Sequence, residues 1–82
     1  MKVMKKFEFN DGYNCLFLFF RNNGYTVSLC EEHEGGWMIV RDYIACAMDF
    51  YEKAFHVFRS FEQFVKEGNS CEEFHVSNIN LK

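Results

Sequence analysis

Cys15-Leu16-Phe17-Leu18-Phe19-Phe20-Arg21-Asn22-Asn23-Gly24-Tyr25-Thr26-Val27-Ser28-Leu29-Cys30 decides the fold. An unbroken apolar run, Leu16 to Phe20, meets a run in which Tyr25, Val27 and Leu29 alternate with Thr26, Ser28 and Cys30. Alternation with a period of two marks a strand with one buried face, and a continuous β-rich run marks a central strand covered on both sides. Asn22-Asn23-Gly24 stands between the two runs, and Asn-Gly pairs tolerate the positive φ angles of tight hairpin turns. The stretch therefore predicts a β-hairpin.

Upstream, Asn10-Asp11-Gly12 offers a second such turn, preceded by Phe7 and Phe9 alternating with Lys6 and Glu8. Together these runs predict a three-stranded antiparallel meander over residues 4–32. Downstream, Glu31-Glu32-His33-Glu34-Gly35-Gly36 reads as an exposed acidic loop, after which the period changes. Val40, Ile44, Ala47, Tyr51, Ala54, Phe58, Phe61 and Val65 are spaced by fours and threes, as on one face of a helix. Tyr43, Phe50, Val57 and Phe64 widen that stripe. A single helix over 40–67 would be about 42 Å long, whereas a globule of this size has a radius of gyration near 12 Å. A break is expected at Arg59-Ser60, since Ser60 followed by Gln63 matches a capping box. The expectation is two helices, roughly 41–58 and 60–67, with Gly68-Asn69 capping the second. Phe74, Val76, Ile79 and Leu81 read as a last short strand. Trp37-Met38-Ile39-Val40 fits a fourth strand or an extended lead-in to a helix starting near Asp42. Asp49 and Glu52, as N-cap and N3, offer an alternative helix start. The expected fold is α+β: a three- to four-stranded antiparallel meander packed against two consecutive helices, with a short C-terminal strand.

At 82 residues, with no proline, repeat or low-complexity tract, the chain is expected to form a single domain over residues 1–82. Its core must be dense, because a domain this small buries only about 60% of the surface its unfolded chain exposes. Eleven Phe, four Tyr and one Trp supply that density, since each ring removes roughly 150–250 Å² from water. The longest apolar run, Cys15 to Phe20, is far shorter than the ~20 residues of a membrane-crossing helix. Charged residues interrupt the N-terminal segment before a signal-peptide core can form. A cytoplasmic location with four free thiols is the expectation. Charge is unevenly placed: residues 1–30 carry a net +2 and residues 31–82 a net −5. An acidic surface repels phosphates, so direct nucleic-acid binding is not expected. Phe17, Phe19 and Phe20 also lack the basic interleaving of a base-stacking sheet.

Cys30-x-x-His33 and Cys71-x-x-x-His75 together supply the ligand types of a tetrahedral zinc site. Their bland reading is a small apolar strand residue and solvated loop residues. No cysteine sits where its thiol would be activated. Cys15 lies in the apolar run, Cys46 in the helical stretch, Cys30 beside Glu31 and Glu32, and Cys71 before Glu72 and Glu73. The carboxylate groups at 31–34 and 72–73 read as solvated, and no phosphate loop is present. The chain is expected to be no enzyme and to need no cofactor or metal. The helical stripe is wider than a three-stranded sheet covers, leaving apolar surface for a partner or a second copy, unless all of it is core. Trp37 beside the acidic loop fits an interface anchor.

In size, mild acidity and the hairpin Phe20-Arg21-Asn22-Asn23-Gly24-Tyr25 followed by an acidic turn and helices, the chain resembles the small phage-encoded inhibitors of the anti-CRISPR type. The likeness is one of general character, with no shared motif. It implies a cytoplasmic viral protein that binds a larger protein, such as a nucleic-acid-binding effector, and occludes its site. The residues expected to touch that partner are Glu31, Glu32, Glu34 and Trp37. Two other readings stand beside it: a zinc-stabilised or thiol-active domain using Cys30, His33, Cys71 and His75, and a homodimeric interaction module.

Overall fold

In a computed structural model, which describes residues 2–79, four strands are followed by one helix. The strands are β1 (Lys2–Glu8), β2 (Asn14–Arg21), β3 (Gly24–His33) and β4 (Gly36–Ala47), and the helix is α1 (Tyr51–Lys66). All neighbouring strands pair antiparallel in the order β1-β2-β3-β4. The fold is α+β, and its first three strands are those the alternation predicts. No described helix is long and apolar enough to cross a membrane.

Each turn shows why its residues are where they are. Asn22 and Asn23 take φ angles of 53° and 56° between the closing pair Arg21 and Gly24, and asparagine tolerates that left-handed region better than most residues. Gly24 is needed for a different reason: a Cβ there would run into the carbonyl of Cys46 on β4. Glu34 (φ 49°) and Gly35 (φ 83°) make the equivalent turn between His33 and Gly36. The acidic segment is thus the end of a long two-stranded hairpin and not a loop. In the first connection the Asp11 carboxylate accepts from the backbone N–H of Tyr13 (2.8 Å) and Asn14 (2.9 Å) and from Asn14 Nδ2 (2.6 Å).

Residues 41–47, expected as helix, belong to β4. β-branched and aromatic residues at 37, 39, 40, 43 and 44 favour a pleated strand. The pairing with β3 slips twice, between Val27 and Ser28 and between Leu29 and Cys30. Each slip inserts an extra residue into β4, so its apolar positions lose their period of two and imitate helical spacing. A 3-10 turn, Met48–Phe50, then leads into α1. The alternative start at Asp49 is close in position, but no side chain caps the helix there. The helix does not break at Ser60, which lies inside it. With 16 residues from Tyr51, α1 needs no break to fit a molecule 33 Å long. Gly68 (φ 94°) does end it: Gly68 N–H bonds Val65 O (2.9 Å) and Asn69 N–H bonds Phe64 O (3.4 Å), the paired bonds of a Schellman cap. Beyond it, Cys71–Glu73 and Val76–Asn78 are 3-10 turns, with no strand among the described residues. Leu81 lies outside the described residues.

The helix covers one face of the sheet. Leu16, Leu18, Val27 and Leu29 meet Ala54, Val57, Phe58 and Phe61 there, with Phe9 and Phe74 closing the core. Phe61 is wholly buried, its ring 4.4 Å from that of Phe74 and 4.8 Å from that of Tyr43. The widened sheet and shortened helix match each other, so the stripe expected to be in excess is mostly covered; Phe50 alone among its rings stays exposed.

Candidate partner-binding site

Among the described residues, no helix lies over the other face of the sheet. Cys15, Phe17, Phe19 and Cys30 form a second cluster there, on strand positions alternating with those of the core. The unbroken apolar run predicts that β2 is covered on both sides, yet among the described residues only neighbouring side chains shelter it on this side. Trp37 stands edge-on to Phe17 (5.5 Å between ring centres), and the Arg21 guanidinium lies 5.1 Å above the Phe19 ring. Between Val3, Lys6, Phe17, Phe19, Cys30 and Trp37 remains a shallow, nearly apolar groove of about 360 Å³. Asp42 borders this face, accepting from Ser28 Oγ and lying 3.8 Å from Arg21.

At one end of this face, the β3–β4 hairpin brings the predicted binding residues together. Glu32 pairs with Trp37 across the strands, and Glu34 occupies the turn. Glu32 and Glu34 are exposed and take part in no ion pair among the described residues. Glu31 differs. It accepts from Tyr13 Oη (3.2 Å), lies 3.4 Å from His33 Nε2, and is half-buried, so it supports the hairpin more than it presents charge. Partial desolvation and the Glu31 contact push the Tyr13 phenol above its usual value. The β1–β2 loop lies at the same end, fastened by the bond from Glu32 N–H to Tyr13 O (3.0 Å). Asp11 therefore joins the acidic end, where its charge reaches Cys71.

The four potential zinc ligands do not converge. Cys30 lies in the cluster on the open face, whereas Cys71 packs against the core under the helix. No group of three metal-binding side chains comes together among the described residues. Burial, with Glu72 and Asp11 nearby, holds the Cys71 thiol above its ordinary value, and desolvation pushes that of Cys15 up to about 11. Reading the sequence missed the open-face groove, because the unbroken apolar run of β2 carries no sign of which face lacks a cover. It also missed the exposure of Met38, Ile39 and Val40, because an uncharged apolar run reads as buried. The chain matches no known family model, no characterised protein and no solved structure.

Proposed function

We propose that this protein is a non-enzymatic inhibitor that docks the end of its β3–β4 hairpin on a basic surface of a larger cytoplasmic protein. The observation that carries this reading is the grouping of two exposed carboxylates without an ion pair among the described residues, Glu32 and Glu34, with the half-exposed Trp37 at one end of the β3–β4 hairpin. Unpaired acids steer association with a basic site, and an aromatic ring beside them supplies contact area at low entropic cost. A surface that binds nucleic acid is basic, so an acidic hairpin competes with the phosphates it holds. The resemblance to anti-CRISPR inhibitors makes RNA-guided effector nucleases the partner class to test first. Against the thiol-active alternative, the thiols of Cys15, Cys30 and Cys71 are held above their ordinary values by burial, and against the zinc alternative, its ligands do not converge among the described residues.

The test is DNA cleavage by a panel of RNA-guided nucleases with and without the protein. Inhibition of one member, weakened about tenfold or more by the double variant Glu32→Lys, Glu34→Lys with an unchanged circular dichroism spectrum, is the expected result. Full cleavage across the panel, or inhibition untouched by the double reversal, overturns the proposal.

A further inference from the structure

The two edges of the sheet are built in opposite ways. β1 carries Lys2, Lys5 and Lys6 within seven residues, and its register slips beside Met4. Lysines and bulges are the usual devices that keep an edge strand from pairing with another chain. β4 has neither over its first four residues. Gly36-Trp37-Met38-Ile39-Val40 contains no charge, and Trp37, Met38, Ile39 and Val40 are exposed to 42%, 50%, 38% and 48%. The slips of β4 begin only beyond Ile39.

Hydrogen-bond geometry adds a second observation. The two-residue turn closes on the pair His33 and Gly36, and antiparallel pairs alternate between bonded and non-bonded. Gly36 and Met38 therefore bond inward to β3, while the N–H and C=O of Trp37 and Ile39 point outward. No turn, loop or cap bond reaches them among the described residues.

We infer that this edge pairs with itself: two copies join β4 to β4 antiparallel, about a two-fold axis through Met38, into one continuous eight-stranded sheet. In that register Trp37 of one copy lies opposite Ile39 of the second. Their outward groups exchange both hydrogen bonds, and the symmetry repeats the exchange. Met38 meets Met38 of the second copy in a non-bonded pair, where side chains approach most closely.

Charge selects this occupant. The uncharged block is preceded by Glu32 and Glu34 and followed by Arg41, none of them in an ion pair among the described residues. Antiparallel self-pairing brings Arg41 of each copy, three residues beyond the axis, toward the β3–β4 turn of the other, which carries Glu34. Asp42, the next residue, already has the Arg21 guanidinium 3.8 Å away and accepts from Ser28 Oγ on its own copy. Parallel pairing would set like charges together. The association leaves the open sheet face of each copy uncovered; it is argued from the β4 edge and not from the inhibitor reading, although it engages Trp37 and Glu34, which that reading also uses. Five residues per copy make a small interface, so dissociation is expected on the order of micromolar or weaker.

Sedimentation of the whole chain over a concentration series tests this. A reversible shift from 9.8 kDa to twice that mass is expected for the wild type, and Met38→Lys, which puts like charges on the axis, should remain monomeric with an unchanged circular dichroism spectrum. A Met38→Cys variant in oxidised glutathione should form a disulfide-linked dimer well above the level the native thiols give the wild type, because only a residue on the axis meets its own copy. A wild type that stays monomeric up to millimolar concentration overturns the inference. So does a dimer that survives Met38→Lys, or a Met38→Cys variant that links no more than the wild type.

Discussion

The carboxylate of Asp11 accepts three hydrogen bonds from the two residues that follow the first turn. Burial works to raise its pKa, but the N–H groups of Asn14 and Tyr13 outweigh it and hold the carboxyl below its ordinary 3.8. Because the folded value lies beneath the unfolded one, this contribution to stability is complete above 3.8 and is lost as pH falls through the lowered value. Asp11→Asn should therefore lose less stability than the wild type on acidification from roughly pH 6 to pH 2, read as the shift in urea midpoint. An equal loss in both proteins would show that the Asp11 bonds do not discriminate between charge states. Asp11 and Gly12 were legible as a turn because their chemistry is local. Gly24 was legible as a turn residue for a reason that proved incomplete. The positive φ angles fall on Asn22 and Asn23, and the glycine is required by a carbonyl more than twenty residues away in sequence.

Among elements, β4 and α1 show how a periodic pattern misleads. Val40, Ile44 and Ala47 continue the spacing of Tyr51, Ala54 and Phe58, yet the first three lie on a strand and the others on a helix. The two register slips that create the coincidence depend on pairing with β3 and leave no local mark. Ser60 and Gln63 matched a capping box, but a serine within a helix has the same neighbours in sequence as a serine that begins one. What the helical half of the pattern did identify is the core face: Ala54, Phe58 and Phe61 are all buried. Phe61→Ala should cost about 3–5 kcal/mol, because its wholly buried ring fills the space between Phe9, Tyr43 and Phe74. Urea denaturation measures it, and a loss under about 1 kcal/mol would mean that the aromatic cluster repacks freely.

At the scale of the whole molecule, one sheet separates two apolar clusters with different protection, one under a helix and one under its own side chains. Thiol chemistry reads that difference. Cys15 and Cys30 are buried on the open face, whereas Cys46 and Cys71 are partly exposed. In the native protein Cys15 and Cys30 should resist an aromatic disulfide reagent until urea unfolds the chain, leaving at most Cys46 and Cys71 to react. Rapid reaction of a third thiol would show that the side chains over the open face part readily. The acidic hairpin end was legible from composition, because three glutamates within four residues favour the surface, as Glu32 and Glu34 show, although Glu31 is half-buried against Tyr13 and His33. By itself the sequence determined the meander, its turns, the apolar face of the helix and the acidic tip, since each rests on chemistry between residues close along the chain. Only the tertiary structure decided that residues 41–47 are strand, that one sheet face stays open and that the β4 edge is bare. Those features depend on which distant segments pair and on what covers what, and no local run of residues encodes either.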